Sequence, residues 1–489
     1  MVRLIGNDRI ARMALFALAV MFAGAPSARA EGPARPNVLF IAVDDLNHWV
    51  GHLGRNPQTK TPNLDRLAQR GVTFTRAYCA APVCNPSRAA VMSGLRPSTT
   101  GVYDNGQDWR PVIPKEKTLT TQFLKAGYNV YGAGKIYHSS VHREGEWTEY
   151  FARSDGERNL RRHPSAKDDG VGGIRFAPLE GDEADMPDYR VVNYGLDKLR
   201  SRHDRPFFLA IGLVKPHMPW NVPKKYYDLF PLEQIRLPPH CENDLADVPP
   251  AGVRMARPEG DHAAMLRSGR WTEAVQAYLA TIAFCDAMVG RLIEGLEQSP
   301  YRDNTVVVLW GDHGWHLGEK EHWRKFALWE EAARAPFIWV APGVTRPGGV
   351  CDRPVDFMTL YPTLCELAGV PVPAHVEGPS LVRLLRDPAA PWDRPALTTY
   401  HRNNHSFRNE KWRYIRYADG GEELYDHDAD PYEWTNLAKD PAYEPIKAGF
   451  AGFIPKENAP ELPRGGGRAR DAGGSGAAGR QRGLSRPAR

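Results

Sequence analysis

Apolar residues fall along this chain in short continuous runs separated by longer segments of helical period. Asn37–Val43 is an almost unbroken run, the pattern of a strand buried on both faces. Runs of the same kind occupy 128–133, 206–213, 305–310 and 336–340. The strongest helix is predicted over 271–298, where Ala274, Tyr278, Ile282, Cys285, Val289, Leu292 and Leu296 recur at threes and fours and so share one face. Strands alternating with helices predict an α/β fold with a large, mostly parallel sheet sandwiched by helices. Four of the strands run into ionisable clusters: 37–43 into Asp44-Asp45, 128–133 into Gly134-Lys135, 206–213 towards Lys215 and His217, and 305–310 into Asp312-His313. In open α/β sheets ligands sit beyond the carboxyl ends of strands, so these charges are expected at one site.

After about residue 375 the pattern changes. Residues 411–417 alternate as a strand, 418–421 supply a turn and 423–425 begin a return strand. The expected organisation is therefore a principal α/β domain over 31–375 and a smaller C-terminal antiparallel α+β subdomain over 376–455. A disordered, basic tail rich in Gly, Ala and Arg is expected over 456–489, where Leu484 is the only large apolar residue from Pro463 onward.

At 489 residues the chain exceeds what one small core organises, in keeping with two packed units. Its 42 prolines and 45 glycines point to long connections, on which sites are commonly built. The net charge is +5, much of the excess lies in the tail, and no basic stripe carries interleaved aromatics, so no nucleic-acid partner is expected. At the other end Arg3, Arg9 and Arg12 precede the apolar run 13–25, and Ser27-Ala28-Arg29-Ala30 offers a small-residue cleavage site. That is the layout of a secretory signal peptide over 1–30, cleaved after Ala30, and it predicts an exported protein, periplasmic or secreted. The run is shorter than the ~20 residues a spanning helix needs and no later stretch is long enough, so no stable membrane insertion is expected. Six cysteines in so long a chain do not make a disulfide scaffold. Export permits a bridge or two, while Cys285, inside the helical stripe, reads as a buried thiol.

The densest chemistry lies in 79–96, which contains Cys84-Asn85-Pro86-Ser87-Arg88. A reactive cysteine needs a nearby positive charge, and Arg88 is placed to provide one. Thiol statistics alone favour a buried structural cysteine instead. An Asp-Asp pair is ordinarily a loop or helix cap, but Asp44-Asp45 follows a buried strand directly. Asp44, Asp45 and Asp312 are hard oxygen donors suited to Ca²⁺ or Mg²⁺, and three crowded carboxylates repel one another without a cation. His313 adds a nitrogen, a less usual ligand for calcium. Taken singly, His138, His217 and Lys325 are ordinary surface or satisfied residues, and Lys320 and Arg324 read as solvated charges of one face.

The joint pattern says more. Cys84-x-Pro86-Ser87-Arg88, with the following Ala89-Ala90-Val91-Met92-Ser93-Gly94-Leu95-Arg96-Pro97, resembles the signature of the formylglycine-dependent sulfatases of the alkaline-phosphatase-like superfamily. Residues 37–45 resemble that family's opening strand with its metal-binding aspartates, and 61–68 the helix that follows. Gly134-Lys135-x-x-His138, Lys215-Pro216-His217 and Gly311-Asp312-His313-Gly314 resemble its remaining active-site segments. The resemblance covers roughly 36–440. Within the family, Asp312-His313, Trp315, the Trp323-x-Lys325 spacing and Thr99-Thr100-x-x-Tyr103-Asp104 are most similar to the iduronate-2-sulfatase pattern.

The resemblance implies that Cys84 is oxidised to formylglycine by a separate maturation enzyme that reads the Cys-x-Pro-x-Arg core. One oxygen of the aldehyde hydrate would then attack sulfur in line. It also implies a divalent metal, Ca²⁺ with Mg²⁺ as the alternative, on Asp44, Asp45, Asp312, His313 and the residue at 84. Arg88, Lys135 and Lys325 would stabilise the sulfuryl oxygens. His217, with Lys325, would protonate the departing alcohol, and His138 would take the proton from the second hydroxyl. His48, His316 and His322 lie nearby but outside this set. The implied substrate is a sulfated carbohydrate or another small sulfate ester. Gly101 stands where the uronate-specific pattern has an arginine, so Asn105, Gln107, Trp109 and Arg110 are the residues expected to line the substrate pocket instead. Three readings stay open beside a sugar sulfatase: a choline-sulfatase, a phospho- or phosphonate monoester hydrolase on the same fold, and an inactive sulfated-glycan-binding protein.

Overall fold

The computed structural model describes residues 35–138, 142–152 and 160–465. The signal peptide expected over 1–30 lies outside the described residues, as do residues 466–489 of the expected tail. In chain order β1 (Asn37–Val43), α1 (Pro62–Gln69), β2 (Val72–Phe74), α2 (Cys84–Ser93), β3 (Asn129–Gly134) and β4 (Glu149–Phe151) come first. They are followed by α3 (Pro187–Arg200), β5 (Phe207–Leu213), α4 (Trp271–Glu297), β6 (Thr305–Gly311), β7 (Phe337–Val340) and β8 (Gly349–Cys351). Among the described residues these strands form one sheet of eight, ordered β8-β2-β7-β6-β1-β5-β3-β4.

Because β1 is flanked by β5 and β6, all seven of its residues are buried. Its side chains alternate between two cores. Leu39, Ile41 and Val43 pack with Leu64 and Leu67 of α1, Val191 and Val192 of α3 and the apolar stripe of α4. Val38, Phe40 and Ala42 face the other way, with Val91 and Met92 of α2. Helices on both faces explain the unbroken hydrophobicity of the strand, and each fully buried Leu or Ile contributes roughly 1.5–3 kcal/mol. The seven stripe positions predicted for 271–298 are all buried in α4. Cys285 is a buried thiol, and no cysteine is in a disulfide.

The sheet is mostly parallel. β1 runs parallel to β5 and β6, β3 parallel to β5 and β4, and β8 parallel to β2. β7 is antiparallel to both β6 and β2, a direction its apolar run does not encode. Register decides the location of the site. Val43 lies opposite Leu213 and Gly311, and Gly134 opposite Gly212. The four ionisable clusters therefore leave the sheet at one edge.

The described residues from Pro36 to Gly465 belong to one compact unit. Within it β9 (Ala396–Thr399), β10 (His405–Arg408), β11 (Trp412–Arg416) and β12 (Glu422–Asp426) form an antiparallel meander, the smaller C-terminal sheet the alternation predicted. The expectation of a disordered tail from 456 is corrected for its described part. The amides of Ala459, Leu462 and Gly465 donate to the carbonyls of Ser98, Gly101 and Gly106 at 2.7, 3.0 and 2.9 Å. Composition hid this because the docking uses backbone groups. No described helix is long and apolar enough to cross a membrane.

Candidate active site

α2 begins at Cys84, and its first turn explains the spacing of the motif. Pro86 is tolerated there because the first-turn amides have no partner within the helix. Arg88, one turn on, lies on the same face as Cys84. All ten residues of α2 are buried, and the positive end of the helix lies at Cys84. Gly94 closes the helix in the left-handed region at φ 72.

The structure brings Asp44, Asp45, Arg88, Lys135, His217, Asp312, His313 and Lys325 together in one buried group about Cys84. Lys325 Nζ lies 2.7 Å from Sγ and 2.8 Å from Asp45 Oδ1. His313 Nε2 lies 3.3 Å from Sγ, 3.3 Å from Asp45 Oδ1 and 3.5 Å from Asp312 Oδ1. Lys135 Nζ donates to Asp44 Oδ2, and His217 Nδ1 lies 2.5 Å from Asp45 Oδ2 and 3.4 Å from Asp44 Oδ2. Arg88 Nε donates to Asp312 Oδ2 at 2.8 Å, while its Nη1 donates to the carbonyls of Lys135 and Ile136. The guanidinium thus braces the carboxylates from beneath.

Electrostatics follow from this packing. Burial by itself would raise the Asp44 and Asp45 pKa values. The ammonium and imidazole groups outweigh it, chiefly Lys135 and His217 at Asp44 and His217 and Lys325 at Asp45, and hold both carboxyls well below the ordinary range. Burial and Asp44 push the Cys84 thiol well up, more than Lys135 and Lys325 draw it down. The unmodified residue is thus a buried thiol, as thiol statistics favour, and Arg88 turns to Asp312 instead. Burial and the neighbouring Lys135 lower the His138 pKa well below its usual value, which favours the neutral imidazole.

Asp44, Cys84, Asp312 and His313 offer ligand atoms within 4.8 Å of one another, and so do Asp44, Asp45, Cys84 and His217. Two observations fit a cation. Asp44 Oδ1 is buried without a hydrogen bond. His313 Nδ1 lies 3.0 Å from the Gly314 carbonyl, which can only accept, and burial lowers the ring's pKa. Nε2 of that neutral ring then carries no proton and faces the oxygens of Asp45 and Asp312 as well as the Cys84 sulfur at 3.3 Å, a gathering of donor atoms that suits a cation. The cluster is a buried metal-binding site of Asp, His and Cys donors.

Some positioning groups carried no sequence signal beyond their neighbours. Tyr278 was legible only as a core residue of the α4 stripe, yet its hydroxyl donates to the Asp45 carbonyl and accepts from the Asn47 amide. Ser87 Oγ donates to the Asp312 carbonyl at 2.6 Å. The Asp188 carboxylate accepts from the amides of Val214 and Lys215 and so sets the loop that carries His217. His48, His316 and His322 stay out of the cluster: His48 pairs with Glu331, and the other two meet backbone carbonyls.

A cavity of about 890 Å³ opens onto His217, Trp315 and Lys325. Asn105, Gln107, Trp109 and Arg110 do not line it, which corrects their expected role. Asn105 Oδ1 accepts from the Asn85 amide, and Gln107 binds Tyr103, Asp104 and Leu462 through backbone groups. Trp109 is buried against Tyr137, and Arg110 pairs with Asp108. Turn-rich polar sequence after the motif shows exposure to something, and here that something is the rest of the chain.

A family model described as Sulfatase matches residues 36–370, and one described as N-sulphoglucosamine sulphohydrolase, C-terminal, matches 318–456. The chain is similar to a sulfatase of Formosa agariphila, 39% identical over 453 residues that cover 87% of each chain. It is also similar to the iduronate 2-sulfatase of Homo sapiens, 30% identical over 404 residues that cover 72% of each. Its fold is similar to that of a protein solved in complex with D-glucosamine-2-N,6-O-disulfate, with a TM-score of 0.70 and 22% identity over 86% of this chain and 97% of that one. Matches of this extent, on a chain whose motif cysteine lies inside a carboxylate cluster, place it in the sulfatase family as a hydrolase of sulfate esters.

Proposed function

We propose that this sulfatase removes sulfate from a sulfated sugar, with residue 84 acting after conversion of Cys84 to formylglycine. The observation that carries the reading is the position of Cys84 Sγ, 2.7 Å from Lys325 Nζ within a group of carboxylates and cations next to a large cavity. A hydrated aldehyde at this position supplies the attacking oxygen that a protonated thiol cannot. A divalent cation bound by Asp44, Asp45, Asp312 and His313 supplies charge neutralisation for the sulfuryl group, and the oxygen-rich donor set favours Ca²⁺, with Mg²⁺ the alternative.

The chain's own groups divide the remaining work. Lys135 and Lys325 present ammonium groups to the sulfuryl oxygens, in a site dry enough for those charges to act strongly. Arg88 holds Asp312 and, at 3.7 Å, stands by Asp44. His217 lines the cavity and donates a proton to the departing alcohol oxygen. His138 would take the proton of the second hydroxyl, so that the aldehyde carbonyl re-forms as the carbon–oxygen bond to sulfate breaks and sulfate leaves. A choline-sulfatase reading is weaker, because the cavity lining carries six cationic side chains against three carboxylates and so disfavours a quaternary ammonium. An inactive glycan-binding protein has no use for a buried nucleophile position. Export, read from the Arg-apolar-small pattern of 1–30, belongs to the same proposal, as does a maturation enzyme acting on the unfolded 84–88 segment.

Mass spectrometry of the peptide containing Cys84, from protein made in its native host, tests this function. Sulfur replaced by aldehyde oxygen, together with release of sulfate from sulfated sugars, is the expected result. An unmodified thiol in the exported protein overturns the nucleophile and moves the glycan-binding reading forward.

A further inference from the structure

Lys325 sits between two strained residues. Arg324 and Phe326 are both left-handed, at φ 83 and 77, and Lys320 and Glu321 upstream share that conformation at φ 56 and 47. It disfavours any residue with a Cβ, so the segment 320–326 keeps its path only where other contacts hold it. Such contacts lie on either side of Lys325. The Phe326 amide donates to the Pro82 carbonyl at 3.2 Å, which ties the segment to the loop before Cys84. Arg324 Nε donates to Asp261 Oδ2 at 2.6 Å. The Lys325 carbonyl itself lies 2.6 Å from His322 Nε2.

The other ring nitrogen of His322 is engaged as well. Nδ1 lies 2.7 Å from the carbonyl of Ala256, the last residue of the helix Pro250–Ala256, where carbonyls lack a partner within the helix. Both partners of the ring are therefore carbonyl oxygens, which only accept. A neutral imidazole has one N–H and satisfies one of them, and the second contact then sets lone pair against lone pair. The imidazolium satisfies both. Burial works against that form and lowers the His322 pKa, while the two carbonyls and Asp261 act upward and Arg324 downward. Asp261 and Arg324 are bonded to each other and largely offset. The remaining titratable neighbours are His316, whose ring lies 5.0 Å away, and His262 from the turn after the helix; burial lowers the pKa of each, and His322 adds to it. Ala256, His262, His322, Arg324 and Lys325 all line the cavity.

We propose that His322 is the positioning residue of Lys325: its imidazolium bonds the Lys325 and Ala256 carbonyls together and fixes the Lys325 ammonium relative to the cavity wall, a clamp that loses one bond when the ring gives up a proton. This rests on the role proposed above for Lys325, and on no particular substrate.

The test uses the full-length matured enzyme and any sulfate ester it cleaves, with rates expressed per formylglycine. An Asn amide nitrogen takes about the place of Nδ1 and a Gln amide nitrogen about that of Nε2. His322→Asn therefore keeps the Ala256 bond and loses the one to Lys325, whereas His322→Gln keeps the bond to Lys325. His322→Asn is expected to lower kcat roughly ten- to hundredfold with KM little changed, the scale of a small displacement of a catalytic group. His322→Gln should recover most of that loss. Its donor does not titrate, so the ratio of wild-type to Gln kcat cancels the ionisations of His138 and His217. That ratio should fall as pH rises through the His322 pKa. Should His322→Asn fail to fold, the pH dependence of the ratio decides alone. Equal kcat losses in the two variants with a ratio independent of pH, or wild-type kcat in His322→Asn, overturn the positioning role. Lys325→Ala is the control on the lysine. Near-wild-type kcat there removes the role of Lys325, and the clamp's purpose with it, while leaving the sulfatase chemistry standing.

Discussion

The Tyr278 hydroxyl donates to the Asp45 carbonyl at 2.8 Å and thereby ties the longest helix to the carboxylate cluster. The same oxygen accepts from the Asn47 amide at 3.0 Å. Between these bonds the chain turns through Asp45 at φ 58, a left-handed conformation that strains a residue with a Cβ. Burial raises the Tyr278 pKa well above its usual value, so the group remains a donor at any working pH. The turn that presents Asp45 to Lys325, His217 and His313 is therefore maintained from α4.

Tyr278→Phe keeps the ring and removes both hydrogen bonds. The Asn47 amide is then buried without a partner, a loss of about 1–3 kcal/mol. Denaturant unfolding should show that loss, with the m-value unchanged. Because Asp45 is freed to relax, sulfate release should fall by roughly tenfold or more, as small displacements of catalytic geometry commonly cost. Full activity with lowered stability would mean that Tyr278 supports the core and not the site.

Removal of metal should have both a structural and a catalytic reading. Asp44 Oδ1 has no hydrogen bond, and the proton-free Nε2 of His313 faces carboxylate oxygens and the Cys84 sulfur, so the cluster suits a cation. Dialysis against a chelator should lower the melting temperature and abolish turnover, and Ca²⁺ should restore both. A cation at a hundredfold excess over its Kd stabilises by about 2.7 kcal/mol, which sets the scale of the shift. An unchanged melting curve after metal analysis shows the ion gone would contradict the proposed cluster.

The acid limit of stability should come from a different group of residues. Arg413, fully buried on β11, donates to Glu433 and Glu330 and bridges the C-terminal sheet to the helix Glu330–Ala333. Burial alone would raise both carboxyl pKa values; Arg413 overrides it and draws Glu433 down to about 2 and Glu330 well below its usual value. A carboxyl whose folded pKa is depressed stabilises fully above its unfolded pKa and loses that contribution as pH falls through the folded one. Stability should accordingly decline from about pH 4.5 downward. Glu433→Gln should flatten the decline and lower stability at neutral pH, by less than the roughly 3–5 kcal/mol of leaving a buried charge unpaired, because Arg413 keeps Glu330. An unaltered slope between pH 5 and 2 would assign the acid transition elsewhere.

What was legible in the sequence was what burial writes into residue type. The run Asn37–Val43 announced a strand covered on both sides, and the clusters that follow four such runs announced a common edge. Cys84, Arg88 and Pro86 were legible as a motif because one helical turn sets their spacing. Strand direction was not legible: β7 has the composition of its parallel neighbours and runs against them. Tyr278 was readable as core but not as an anchor, since helical period fixes the face of a residue and not the partner of its terminal atom. The segment 459–465 docks by backbone amides, which composition cannot record.

That docked segment yields the last prediction. Gly101 donates its amide to Pro97 and closes the short helix Pro97–Thr100 in a conformation that glycine adopts freely. Gly101→Ala should cost about 1–2 kcal/mol through the left-handed backbone alone. In the full chain it should cost more, because the added Cβ meets the Pro460 carbonyl oxygen at 2.3 Å and one or the other must move. Ending the chain at Asn458 removes that partner, so the penalty in the shortened protein should fall to the backbone contribution. Comparing the four proteins by denaturant unfolding isolates the coupling between 101 and the segment as a double-mutant cycle. Limited proteolysis gives an independent readout: residues 459–465 should become accessible in Gly101→Ala and stay protected in the wild type. Equal penalties in long and short chains, with protection unchanged, would mean that the segment yields to a methyl group without cost, and Gly101 would then be explained by its φ alone.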